Sequence, residues 1–128
     1  MWMKYFSIPV LFLLFFVQAQ PELYQFSHGG LNREYYLYVP DSLVADAPLL
    51  FVFHGYSGSA SDIMNYSGLN QIADDNGFVV CYPQGLIDDW DYSFWNVGYD
   101  WHVDETVDDV GFSTSLAQYL QTEYNLSA

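Results

Sequence analysis

The sequence predicts an α/β fold in which strands and helices alternate, and three observations carry that prediction. Residues 23–40 alternate in side-chain direction around a Gly-Gly turn. Two short apolar runs follow, Leu49–Phe53 and Phe78–Tyr82, each bounded by turn residues. Stretches with helical spacing separate and follow those runs. A hairpin followed by strand–helix–strand–loop–helix is the opening of an open sheet with crossover helices.

Taken in order, the first twenty residues read MWMKYFSIPVLFLLFFVQAQ. Lys4 supplies a positive start, Ile8 to Val17 an apolar stretch broken by Pro9, and Val17-Gln18-Ala19 a small-x-small cleavage site. That pattern predicts a signal peptide over residues 1–19. The competing readings are a membrane anchor or a buried helix, but the run is about half of the ~20 residues that span a bilayer. No cysteine follows it to carry a lipid. Cleavage leaves residues 20–128 as one domain, with Arg33 its single Lys or Arg.

Leu23–His28 and Arg33–Pro40, joined at Gly29-Gly30, read as an antiparallel hairpin. Pro48 opens Leu49–Phe53, whose unbroken apolarity predicts a strand covered on both faces. Ser59 or Ser61 can cap a helical stretch containing Ile63, Met64, Leu69, Ile72 and Ala73. It is interrupted near Gly68 and stopped by Asn76-Gly77. Phe78–Tyr82 is a second buried strand, closed by Pro83. Gln84–Glu105 has no helical period and reads as a long loop. Thr106-Val107-Asp108-Asp109 matches a Ser/Thr-x-x-acid helix start, and Val110, Leu116, Ala117, Leu120 and Tyr124 form the stripe of the helix behind it. Two parallel central strands are too few for a sheet covered on both faces, so the chain reads as part of a larger domain.

Composition narrows the function. The 128 residues are 52% hydrophobic and 20% aromatic, which supports one packed domain. Two Lys plus Arg against 16 Asp plus Glu give a net charge of −14, which repels phosphate backbones and excludes nucleic acid as a partner. One cysteine permits no internal disulfide and no cysteine zinc cluster. Asp88, Asp89, Asp91, Asp100, Asp104, Glu105, Asp108 and Asp109 lack the spacing of a calcium loop, so neither metal nor cofactor is predicted. Asp108 and Asp109 suit the positive end of a helix. His28 and His102 read as surface residues, and Cys81 as a buried thiol in mid-strand.

Five blocks in order, GLNREYYLYVP, HGYSGSASD, GFVVCYPQG, FWNVG and DDVGF, resemble the secreted polyhydroxybutyrate-depolymerase and feruloyl-esterase family of α/β-hydrolases. The resemblance implies a partial α/β-hydrolase fold, truncated before the nucleophile elbow. It implies an exported serine carboxylic-ester hydrolase acting on polyhydroxyalkanoate or feruloyl esters, free of any membrane anchor after signal cleavage. Its Gly-x-Ser-x-Gly, acid and histidine would all lie past Ala128, so the chain as given would be inactive. The nearest local match, Gly55-Tyr56-Ser57-Gly58-Ser59, ends in serine and follows the wrong strand, which leaves Ser57 a turn residue.

What the resemblance assigns to this segment is the oxyanion loop. Attack on an ester carbonyl puts charge on oxygen, and fixed backbone N–H groups stabilise it. The donor implied here is the main-chain N–H of Tyr56 and not its phenol, with Gly55 and His54 shaping the loop. Trp95 and Asn96 are the implied substrate contacts. The aromatic run Trp90–Trp101 can line a substrate or pack on itself. It also supports a different class of function, a secreted non-catalytic module that binds carbohydrate or polymer.

Overall fold

The computed structural model describes residues 19–128, so the predicted signal peptide lies, but for Ala19, outside the described residues. Strand β1 (Glu22–His28) and strand β2 (Leu31–Tyr38) pair antiparallel across Gly29-Gly30. Strand β3 (Leu49–Phe51) leads to helix α1 (Ala60–Ser67) and helix α2 (Leu69–Asn76), and then to strand β4 (Val79–Pro83). Strands β5 (Leu86–Ile87) and β6 (Ser93–Phe94) form a separate ribbon. A short 3₁₀ turn over Asp100–His102 precedes helix α3 (Asp109–Tyr124).

The main sheet has the order β1-β2-β4-β3, with β3 parallel to β4 and β2 antiparallel to it. The hairpin therefore joins the two parallel strands and makes a sheet that helices cover on both faces. Side-chain alternation divides the core. Tyr35, Leu37, Val79 and Cys81 meet Phe112, Leu116 and Leu120 of α3. Tyr38, Val80 and Tyr82 meet Ala60, Met64 and Ala73 of α1 and α2. Burial pushes the Cys81 thiol pKa up, as expected of an inert core thiol.

The helix punctuation follows the sequence. Ser59 caps α1 by accepting from the N–H of Asp62, and Gly68 and Gly77 end α1 and α2 at φ +70° and +71°. Four expectations are corrected. Strand β3 is shorter than Leu49–Phe53 and is not covered on both faces. It lies at the sheet edge with Leu50 and Phe53 38% and 44% exposed, because β4 is its one partner among the described residues. The α3 cap is Asp108 and not Thr106, because the Asp108 carboxylate accepts the N–H of Gly111. Val110 is exposed and Phe112 takes its place, since the buried row runs 112, 116, 120. The segment Gln84–Glu105 is also more ordered than a loop, because it contains the β5–β6 ribbon.

Candidate oxyanion site

The chain leaves β3 at Phe51 and turns at His54–Gly58. Gly58 N–H donates to Gly55 C=O at 3.0 Å, which makes Gly55–Gly58 a β-turn with Tyr56 and Ser57 at its centre. Ser57 stands at φ +59°, a region L side chains rarely adopt. The turn is held from outside. Ser57 N–H donates to Ser93 C=O at 2.8 Å, and the Ser93 hydroxyl donates to Gly58 C=O. The Trp95 indole donates to His54 C=O at 2.9 Å. The N–H groups of Gly55 and Tyr56 donate to no acceptor among the described residues.

His54 is buried and acts as a pin. Gly85 N–H, which can only donate, reaches His54 Nε2 at 2.9 Å, so the ring proton sits on Nδ1 and donates to Gly55 C=O at 2.7 Å. The side chain of Gln84 reaches the same Nε2 at 3.1 Å, and its carbonyl accepts from Ala60 N–H at the start of α1. Gly85 fits here because a Cβ would lie 2.3 Å from Phe94 C=O. The blocks HGYSGSASD and GFVVCYPQG thus meet across one histidine.

Beside the turn lies a polar centre inside an aromatic shell. The Asp88 carboxylate accepts from the Tyr56 phenol at 2.8 Å, from the N–H groups of Trp90 and Tyr92 at 2.9 Å each, and from His102 Nε2 at 3.1 Å. Desolvation works to raise its pKa, but the bonds from Tyr92, Tyr56, His102 and Trp90 outweigh it and hold the carboxyl at about 2. Desolvation and the bond to Asp88 push the Tyr56 phenol up to about 12.

His102 is buried, which corrects the expectation of a surface residue: its partner is a carboxylate inside the loop. Its ring lies among Phe94, Trp90, Tyr56, Tyr99 and Trp101, with centroids 4.6–6.1 Å away. The aromatic run therefore packs on itself around His102, while Trp90, Tyr92, Tyr99 and Trp101 keep exposed faces. Among the described residues, no three of His, Cys, Asp and Glu converge as metal ligands.

A second frame sits on the other side of Trp95. Arg33 is buried and donates to Asp109 at 2.7 Å, with its guanidinium 4.1 Å from the Phe112 ring centroid. The other Asp109 oxygen accepts Asn96 N–H at 2.7 Å, so Asp109 is a buried ion-pair partner and not a solvated first-turn acid. The Asn96 amide is held by Glu105 and Val107 carbonyls at 3.2 and 3.0 Å. His28 is half-buried against Asp108 at 3.2 Å, again more enclosed than expected. Trp95 and Asn96 line an apolar groove of about 390 Å³ with Phe53, Val97, Val110 and Ser113.

The sheet order with helices on both faces defines part of an α/β-hydrolase fold. Solved structures agree. Native pOPH superposes with a TM-score of 0.64 at 21% identity, over 85% of this chain and 40% of that one. The S-formylglutathione hydrolase of Staphylococcus aureus gives 0.60 at 16%, over 85% and 43%.

No family model matches the chain. Among curated relatives, feruloyl esterase B of Thermothelomyces thermophilus is 37% identical over 62 residues, which is 48% of this chain and 21% of that protein. The polyhydroxybutyrate depolymerase of Talaromyces funiculosus is 34% identical over 77 residues, 55% of this chain and 23% of that protein. The chain thus spans under a quarter of the length of these relatives. The resemblance carried by the five sequence blocks is borne out by them: the chain is similar to polyhydroxybutyrate depolymerases and feruloyl esterases. Among the described residues, no helix is long and apolar enough to cross a membrane.

Sequence reasoning missed Arg33, Gln84, Gly85, Asp88, Ser93 and His102. One signal was available for Arg33, since the single Lys or Arg among the described residues, set against 16 acids, has every reason to be paired.

Proposed function

We propose that this chain is the N-terminal part of an exported serine carboxylic-ester hydrolase, and that its Tyr56 N–H is one of two donors to the oxyanion. The observation that carries this reading is the turn itself. Its carbonyls at His54, Gly55 and Gly58 and its N–H groups at Ser57 and Gly58 are all bonded, while the N–H groups of Gly55 and Tyr56 have no acceptor among the described residues. A rigid turn with unbonded N–H groups beside an apolar groove suits a developing alkoxide in acyl transfer. The nucleophile, acid and base would be supplied by sequence that follows Ala128, so the segment alone would be inactive. Polyhydroxyalkanoate or feruloyl esters are the substrate classes, carried over from the names of its relatives. The leader over residues 1–19 would direct export.

The test compares Tyr56→Pro with Tyr56→Ala in the complete protein, with p-nitrophenyl acetate as substrate. Tyr56 is the second residue of the turn, where proline is well tolerated, so both variants should fold, as circular dichroism will verify. Both lose the phenol, but the proline variant alone loses the N–H. It should fall a further 10²–10³-fold in kcat, on the order of the loss for one oxyanion donor. Equal kcat in the two folded variants would refute the assignment. Polymer binding without hydrolysis by the wild-type protein would favour the aromatic loop as a binding module.

A further inference from the structure

The Tyr56 phenol has no role in the reading above, yet it makes the one hydrogen bond Tyr56 has among the described residues, to Asp88 Oδ2 at 2.8 Å. Asp88 is itself fixed. Its Oδ1 accepts two backbone N–H groups, its N–H donates to Tyr92 C=O at 2.8 Å, and its C=O accepts from Asp91 N–H at 3.1 Å. These bonds close the turn between β5 and β6. His102 holds the second carboxylate oxygen from within the aromatic shell. The same ribbon grips the oxyanion turn through Ser93. Ser57, next to Tyr56, occupies a left-handed conformation that its own side chain does not favour, so the turn relies on such grips.

We infer that Asp88, backed by His102, is a positioning residue that fixes the direction of the Tyr56 N–H by holding its phenol. Asp88 touches no reacting atom. The inference rests on the proposed oxyanion role of Tyr56. It predicts that Asp88 acts on the transition state and not on substrate binding, because the N–H is needed most when charge develops on oxygen.

The experiment uses the complete protein with Asp88→Asn, Tyr56→Phe and the double variant. Each single variant should lower kcat for p-nitrophenyl acetate about tenfold, the scale of one lost charge-assisted hydrogen bond, with KM within about twofold. The double variant should be no slower than the slower single, since both cut one connection. Affinity for a boronic acid that forms a tetrahedral adduct should fall by the same factor as kcat. Asp89→Asn, an exposed carboxylate one residue along, should change none of these.

Unchanged kcat, a rise in KM alone, or multiplicative single effects would overturn the inference. If Asp88→Asn does not fold, Tyr56→Phe decides, because the carboxylate keeps its other three donors. Backbone ¹⁵N relaxation at Tyr56 separates the two proposals. If the complete protein hydrolyses no ester, the oxyanion reading falls, while a more mobile Tyr56 amide in both variants would still support positioning by Asp88. An equally rigid amide would refute positioning, whatever the activity.

Discussion

Replacing Gly85 with alanine puts a methyl group where the fold leaves no room. The new Cβ would lie 2.3 Å from Phe94 O, 3.1 Å from Phe94 C and 3.2 Å from His54 Cε1. Two of those atoms are backbone of β6, so relief requires that the β5–β6 ribbon or the His54 ring move by roughly 1 Å, against tight packing. Overpacking of this kind costs about 1–3 kcal/mol. Moving Gly85 also strains its N–H bond to His54 Nε2, worth about 1 kcal/mol more. The expected loss is therefore about 3 kcal/mol, near the upper end of single substitutions. Urea unfolding followed by tryptophan fluorescence measures it, as a lower midpoint with an unchanged m-value. Gly55→Ala is the matched control. Its Cβ meets nothing within 4 Å and its φ lies outside the left-handed region, so its stability should stay within about 0.5 kcal/mol of wild type. A loss below about 1 kcal/mol for Gly85→Ala would refute the claim that Gly85 is a required close approach between β6 and His54.

Two further outcomes follow from buried charge. Arg33→Met should destabilise by about 3–5 kcal/mol in the same urea assay, because it strands the buried Asp109 carboxylate. The double variant Arg33→Met/Asp109→Leu should recover part of that loss but not all, since Asn96 N–H then lacks its acceptor. The folded-state pKa of Asp88, about 2, lies below the value of about 3.9 usual for an unfolded aspartate. A depressed carboxyl contributes stability that is present above about pH 4 and lost as pH falls towards 2. Asp88→Asn should flatten that part of the stability–pH curve, and an equal acid slope in both proteins would contradict the hydrogen-bond account.

What the sequence made legible was local. Ser59, Gly68 and Gly77 announce the ends of α1 and α2 because capping depends on one or two residues and their own backbone. The tyrosine alternation of the hairpin and the apolar run of β4 were readable for the same reason, as was the His-Gly turn after β3. The long-range pairs were not legible. Nothing in the spacing of Asp88 distinguishes it from the other acids of the loop or pairs it with His102, and the burial of both arises from aromatic rings that wrap them only in three dimensions. The Thr106 start was misread because the Thr106–Asp109 box overlaps the true cap, which runs from Asp108 to Gly111. The choice between them is made by Arg33, 76 residues away, which takes Asp109 for itself.

If Tyr56 is the proposed oxyanion donor, the sheet order suits a nucleophile carried elsewhere in sequence. Strand β3 has β4 on one side and, among the described residues, no strand on the other, where Leu50 and Phe53 remain exposed. Beside it a groove of about 470 Å³ runs between Phe51, Phe53 and the Ser113, Thr114 and Ala117 face of α3. A parallel strand filling that place would end at the same edge of the sheet as β3, because parallel neighbours share their direction. Its carboxyl end would then lie alongside the His54–Gly58 turn, and ligands of open α/β sheets bind outside the carboxyl ends of the strands. On the proposed reading, the nucleophile arrives from that added strand, while Tyr56 waits on a turn already locked by Gly85, Asp88, Ser93 and Trp95. On that reading the donor would be preorganised by contacts within this segment, and so would require little rearrangement at the moment charge develops.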